Sequence, residues 1–155
     1  MNKLINVEHG NRTPEQKEVM KKIATDGVCP FCVDFCEGKT PQYHTKPILK
    51  DTGKWVITEN FHPYEGALHH FILITKRHIT TVGELTPEEW EDARQMTVWA
   101  EEEYKLAGGA LLMRFGDTDY TGGSVEHLHM QLIAGAPKHE GGERLIACLG
   151  YQKKK

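Results

Sequence analysis

From position 127 to 132 polar and apolar residues alternate without a break: Leu128, Met130 and Leu132 share one parity, His127, His129 and Gln131 the other. A period of two is a β-strand whose two faces meet different surroundings, and the run 127–134 is read as one strand. Residues 55–58 (Trp-Val-Ile-Thr) and 70–75 (His-Phe-Ile-Leu-Ile-Thr) are shorter runs rich in β-branched and aromatic residues. Separated by a turn region holding Pro63 and Gly66, they predict two further strands. Residues 110–115 predict another, and a last run at 144–149 reads as one more. Thr13-Pro14-Glu15-Gln16 places a capping threonine, a proline at the first helical position and a glutamine three residues on. A helix should start there, run to about Ala24 and stop near Gly27. Thr86-Pro87-Glu88-Glu89 repeats the signal, and Trp90, Ala93, Thr97, Ala100 and Tyr104 recur at helical spacing until Gly108-Gly109. Trp90 and Trp99 lie on or near that stripe and are read as core. Residues 28–38 read as a compact knuckle and 39–53 as loop. Strands joined mostly by short turns, with a helix inserted between pairs, make an α+β fold on an antiparallel sheet.

Composition narrows what such a fold could do. The chain has 155 residues, the size of one ordinary domain and enough to bury a core without disulfides. No internal repeat or low-complexity linker divides it, so a single domain over 28–155 is expected, preceded by a helical appendage at 1–27. Lys and Arg number 19 against 22 Asp and Glu, a net charge of −3, which argues against a nucleic-acid binder held by a basic face. No apolar run approaches the roughly 20 residues that span a bilayer, and only Leu4 and Ile5 follow Lys3 before polar residues return, so neither a membrane span nor a signal peptide is expected. Four Cys then suggest a cytoplasmic protein, where close Cys pairs serve metals or redox chemistry. Nine His point to where the chemistry lies.

Two imidazoles and a carboxamide at alternate positions of the 127–134 strand project from one face about 6.6–7 Å apart. Gly122-Gly123-Ser124 stands just upstream; glycines let backbone N–H groups approach an anion, and a serine hydroxyl adds a donor. Imidazoles beside an anion cradle are what nucleotidyl transfer by a nucleophilic histidine requires. The plain alternative is a polar row on the wet face of an edge strand. Cys29-Pro30-Phe31-Cys32 is the second constellation, with three readings open: a redox pair, half of a zinc site needing two more N or S ligands, or packed free thiols. Gly38 and Pro41 would end the helix start that a low-pKa thiol needs. Cys36 is a spare beside the knuckle, and Cys148, in an apolar run, is read as a core thiol. His9 and His139 are read as solvated, His44 and His62 as surface residues, and His69 as alternating away from His70.

His127-Leu128-His129-Met130-Gln131 resembles the histidine-triad (HIT) superfamily in its His-x-His-x-Gln form. Asn60 through Pro63, continuing to His70-Phe71-Ile72-Leu73-Ile74-Thr75-Lys76-Arg77-His78-Ile79, is similar to the superfamily's second block, and Leu85-Thr86-Pro87-Glu88-Glu89 to its helix start. The resemblance covers roughly residues 28–136 in order. It implies a HIT-like sheet of about five strands with one long helix and a short N-terminal helix, and a homodimer whose two sheets join. It also implies an enzyme that breaks a phosphoanhydride, phosphoester or phosphoramidate bond of a nucleotide or dinucleotide through a nucleotidyl-histidine, as nucleotidyltransferase, phosphorolase or hydrolase. His129 matches the nucleophile, Gln131 the third member that contacts phosphate, and His127 the first. Ser124 and Gly123 match the phosphate loop, His70 lines the site, and Asn60 lies near the acidic residue that binds ribose. Arg114 stands where the superfamily has Asn and offers its own phosphate fork; Thr75 stands where it commonly has Pro. Some relatives hold a structural zinc with two Cys and two His, which here implies Cys29, Cys32, His78 and His127. Two rival readings are a nucleotide-binding regulatory protein with little turnover and a CxxC redox protein.

Overall fold

The computed structural model describes residues 4–7, 13–36, 38, 41–140 and 142–155; His9 lies outside them. Helix α1 (Pro14–Asp26) begins with Thr13 capped reciprocally by Gln16 and ends on Gly27 in the left-handed region at φ 65°, a conformation that glycine adopts without a Cβ penalty. The knuckle follows as a single π-helical turn at Cys32–Cys36. Strands β1 (Ile48–Asp51), β2 (Trp55–Glu59) and β3 (His69–Thr75) come next, then helix α2 (Pro87–Glu103), β4 (Ala110–Arg114) and β5 (His129–Ala134). The five strands form one antiparallel sheet in the order β1-β2-β3-β5-β4. The α+β architecture expected from the pattern is the one observed. No helix among the described residues is long and apolar enough to cross a membrane.

Alternation in the strands decides what each face does. On one face Trp55, Ile57, Phe71, Leu73, Met130 and Leu132 pack against Ala93, Met96 and Ala100 of α2 in the main core. On the other, Val56, Ile72 and Ile74 pack against Phe35 and Phe31 of the knuckle. His70 of β3 and His129 and Gln131 of β5 lie on this second side. Truncating a core residue such as Leu132, 4% exposed, would cost about 2–5 kcal/mol, so the alternation is strongly enforced.

Several expectations are corrected. Residues 39–53 are not all loop: β1 forms after Pro47, as a short edge strand whose register with β2 shifts between Ile48 and Lys50. Four residues beside a proline carry too little pattern to be read in advance. No strand forms at 144–149, because that segment is held by a side chain rather than a ladder; Arg114 donates to the Cys148 carbonyl at 2.6 Å. Cys148 is exposed rather than a core thiol. Helix α2 stops before Gly108 because Lys105 takes a left-handed φ of 51°. Trp90 is 43% exposed; the apolar part of the buried stripe starts at Ala93, and only Trp99 of the two tryptophans packs against the core.

The start of α2 braces the turn that leaves β3. Glu89 completes the capping box with Thr86 and also takes Arg77 in a two-pronged bond, Nε to Oε1 at 2.7 Å and Nη2 to Oε2 at 2.8 Å. The Arg77 bond, with help from Thr86, pulls the Glu89 carboxyl down to about 2 against burial. A carboxyl with a depressed folded-state pKa stabilises the fold above its unfolded value, near 4.5, and that contribution fades as pH falls toward 2. Because Arg77 is half exposed, solvent screening limits the effect. Glu89→Gln should therefore lower unfolding free energy by about 1 kcal/mol at pH 7, with the gap from wild type closing between pH 4.5 and 2 in denaturant titrations.

Candidate functional site

Strand β5 lies between β3 and β4, so every group on its second face is walled on both sides. Arg114 of β4 and Ile74 of β3 stand opposite His129, while Leu112 and Ile72 stand opposite Gln131. His129 is 5% and Gln131 6% exposed. His127, just before the strand, is 2% exposed. The Phe31 ring packs nearly perpendicular to both imidazoles, with centroids 5.7 Å from His127 and 5.3 Å from His129. A residue of the Cys-Pro-Phe-Cys turn thus forms one wall beside the histidine row.

Backbone carbonyls set the tautomers of both rings. His129 Nδ1 lies 2.6 Å from the His127 carbonyl, which only accepts, so Nδ1 carries the hydrogen and Nε2 keeps its lone pair. Burial, helped by the nearby Arg114 charge, pushes His129 down to about 4, so the ring is neutral at pH 7. Its Nε2 has no hydrogen-bond partner among the described residues. His127 is the mirror case. Its Nε2 donates to the Thr75 carbonyl at 2.7 Å, leaving the Nδ1 lone pair facing the cysteines. Thr75, the departure from proline, holds this corner: its hydroxyl lies 3.0 Å from the Leu128 carbonyl and 2.9 Å from that of Arg77.

The structure brings Cys29, Cys32, His78 and His127 together, one ligand atom from each, all within 4.8 Å of one another. His127 Nδ1 stands 3.4 Å from Cys29 Sγ and 3.6 Å from Cys32 Sγ, and His78 Nδ1 lies 3.2 Å from Cys32 Sγ. Ligands at Zn–S about 2.3 Å and Zn–N about 2.0–2.1 Å in a tetrahedron stand roughly 3.5 Å apart, so the four residues fit that ion. The second-row bond from His127 Nε2 to a backbone carbonyl is the orienting contact that metal-bound histidines make. Burial pushes the Cys29 thiol up to about 12, the opposite of what thiol–disulfide exchange needs.

The remaining expected residues take varied places. Gly123 donates its N–H to Thr121 Oγ1 at 3.1 Å, and Ser124 accepts from the Asn6 N–H through its carbonyl at 2.8 Å. Asn60 contacts His70, and His70 in turn contacts Gln131. Arg114 is 7% exposed; its Nη2 donates to Tyr64 Oη at 2.7 Å and to the Cys148 carbonyl. Its Nε is buried with no partner, and no carboxylate pairs with it among the described residues. A buried cation without a counter-charge is costly. Gly122 and Gly123 wrap this guanidinium: a Cβ on Gly122 would run into the Cys148 carbonyl, and one on Gly123 would sit 3.1 Å from Arg114 Cδ.

Sequence reasoning missed three supports. Ile5 bridges Val125 and is 8% exposed, so residues 4–6 brace the loop before His127; an isolated Leu-Ile-Asn carries no pattern to reveal this. His44 is not a surface residue: its Nε2 lies 2.9 Å from Thr58 Oγ1, and burial lowers it to about 4. Asp34, 3% exposed, accepts the backbone N–H groups of Gln42, Tyr43 and His44 at 2.7–3.3 Å, tying that loop to the knuckle. A lone Asp between Val33 and Phe35 is the one local signal of a buried acceptor. His69, as expected, faces away from the site, stacked on Phe71, and His139 is exposed.

Residues 32–146 match the family described as "Scavenger mRNA decapping enzyme C-term binding". Among solved structures the chain is similar to one named "Hit Like Protein", at 24% identity and TM-score 0.52, covering 65% of this chain and 93% of that one. It is similar to a HIT family hydrolase from Legionella pneumophila Philadelphia 1, at 21% identity and TM-score 0.52 over 71% and 95%. A HIT family hydrolase from Clostridium thermocellum gives 20% identity and TM-score 0.52 over 83% and 96%. At these identities the likeness speaks for the fold. No curated protein matches the chain.

The Asp34 anchor can be tested directly. Asp34→Asn turns one accepting oxygen into a donor facing backbone N–H groups, which should cost about 1–3 kcal/mol. Amide exchange at Gln42, Tyr43 and His44 should accelerate well beyond any change at α1.

Proposed function

The chain belongs to the family described as scavenger mRNA decapping enzyme C-term binding, within the HIT superfamily, and from that premise we propose that it transfers or hydrolyses the nucleotidyl group of a nucleotide or dinucleotide through His129. The observation that carries this reading is the His129 tautomer: neutral, Nδ1–H bound to the His127 carbonyl, Nε2 lone pair without a partner. In the first step that lone pair forms a P–N bond to the phosphorus, and the P–O bond to the leaving group breaks with its electron pair. The positive charge that appears on the ring is shared with the His127 carbonyl through Nδ1–H. In the second step an anionic phosphate oxygen, or a water that gives up its proton to solvent, attacks phosphorus, the P–N bond breaks, and the pair returns to Nε2.

Arg114 supports the anionic character of the ligand, since a phosphate would supply the counter-charge that its buried guanidinium lacks among the described residues. Gly123 and Ser124 adjoin it on the loop, and Asn60 and His70 close the β3 side. Gln131 has no proton to give at neutral pH and can only hydrogen-bond. That favours leaving groups and acceptors that are themselves acidic phosphates, although hydrolase names among the structural neighbours keep water as an acceptor to be compared. The outer edge of β4, unpaired among the described residues, with Leu111 and Phe115 more than half exposed, supports a second copy joined there.

Cys29, Cys32, His78 and His127 would hold a structural zinc, which when bound supplies a closed tetrahedral crosslink between the knuckle and the sheet. Purified protein should then carry about one zinc per chain by elemental analysis, and Cys32→Ala should lose both the metal and several degrees of melting temperature. A metal-free protein of undiminished stability would remove zinc from the account.

For the reaction, nucleotides, dinucleoside polyphosphates and a capped dinucleotide form the panel. His129→Ala should cut turnover by more than about 10³-fold while nucleotide affinity, measured by calorimetry, stays within a few-fold. Wild-type turnover in the variant contradicts the role given to His129. Binding without turnover in the wild type would instead favour a regulatory protein.

A further inference from the structure

We propose that His70 is a positioning residue, which decides which end of the Gln131 carboxamide faces the ligand. The kinetic consequence of this inference rests on the His129 reading; the structural claim does not.

Three polar groups meet at the His70 ring, which is 5% exposed. Its Nδ1 lies 3.0 Å from the Tyr64 backbone nitrogen. Its Nε2 lies 2.9 Å from Gln131 Oε1 and 3.1 Å from Asn60 Nδ2. The Asn60 amide is itself fixed, because its Oδ1 accepts the His62 backbone N–H at 2.8 Å. Side-chain amides and ring tautomers are usually assigned from their surroundings rather than seen, and here one neighbour leaves no freedom. A backbone N–H only donates, so Nδ1 of His70 must accept. A neutral imidazole has one accepting and one donating nitrogen, so the hydrogen sits on Nε2. Double protonation is opposed twice: it would set Nδ1–H against the Tyr64 N–H, and burial, with Arg114 nearby, lowers the ring's pKa.

The rest follows by elimination. With Nε2–H as donor, the group of Gln131 that faces it must be the carbonyl oxygen. A reversed carboxamide would put NH2 against N–H in a buried pocket and forfeit a hydrogen bond whose loss is costly there. Asn60 cannot take the bond instead: turning its amide would give up the His62 N–H bond to its Oδ1, so its Nδ2 stays beside Nε2–H as a contact without a hydrogen bond, one donor–donor contact against the two that reversing both amides would create. Gln131 is therefore left with Nε2 as its outward group, with no partner among the described residues, on the strand face that carries His129. Two N–H donors are presented to an anion, and the carbonyl, which would repel it, is turned away. A free glutamine would show either end; the Tyr64 N–H, acting through one ring, selects the useful one. His70 and Gln131 are diagonal neighbours across β3 and β5, since Ile72 pairs with Gln131 and His70 with Ile133, a spacing within reach of long side chains.

The test has one arm that needs no activity and one that does. Long-range nitrogen–proton NMR of the ligand-free protein should show His70 with a protonated Nε2 and a bare Nδ1; the opposite tautomer overturns the proposal whatever the protein catalyses. In the second arm, single-turnover labelling with adenosine 5′-phosphorimidazolide compares the wild type with His70→Leu, His70→Gln, Gln131→Ala and the His70→Leu/Gln131→Ala pair. His70→Leu should slow adduct formation at saturating donor by about 10–100-fold, the usual cost of losing an orienting partner, with little change in half-saturation. His70→Gln, which keeps an N–H near the Nε2 position, should recover most of the rate. In the Gln131→Ala background His70→Leu should be nearly silent. An equal loss in both backgrounds overturns the proposal. If the wild type forms no adduct, the nucleotidyl reading fails, and the tautomer alone decides the inference.

Discussion

The structure depends on how β5 is held. Met130 and Leu132 are locked into the core beneath α2, and β3 and β4 hydrogen-bond to either edge of the strand. A slip of one residue would drive His129 and Gln131 into that apolar core and bring Met130 out. The cost of such an exchange, several kcal/mol for each buried large side chain, keeps the polar row on one face. The catalytic order proposed for this chain is thus a by-product of hydrophobic alternation.

Main-chain groups then decide the state of each imidazole. The Thr75 carbonyl sets His127, the His127 carbonyl sets His129, and the Tyr64 N–H sets His70. None of these partners can rotate to change from donor to acceptor, so the lone pairs needed for a metal and for a phosphorus are assigned by the fold itself. Arg114 is different in kind. It is buried beside the row with no carboxylate paired to it among the described residues, a local cost to folding that an anionic ligand would relieve, as expected where function competes with stability.

Much of this was legible in the sequence because it rests on local pattern. The alternation through Leu132 marks β5, the Thr86 and Glu89 capping box marks α2, and the superfamily resemblance brought His78 and His127 to the cysteine pair before any coordinates. Elements that depend on tertiary partners were not legible. Strand β1 is short and follows a proline, so it gains its form from pairing with β2. The apolar run at 144–149 has strand composition, yet the Arg114 side chain takes its Cys148 carbonyl. Ile5, His44 and Asp34 matter through contacts 14 to 120 positions away or with unpatterned loop backbone, which no local period encodes.

The central claim is a covalent bond between phosphorus and Nε2 of His129. The protein, mixed with a nucleotide and quenched within one turnover, can be digested under mildly alkaline conditions that spare phosphoramidates and mapped by tandem mass spectrometry. The account predicts one nucleotidyl group, on the peptide containing His129 and at that residue, with phosphorus NMR reporting an Nε2 linkage. Turnover of the same nucleotide with no trapped adduct, or an adduct on His127 or His70, would contradict it.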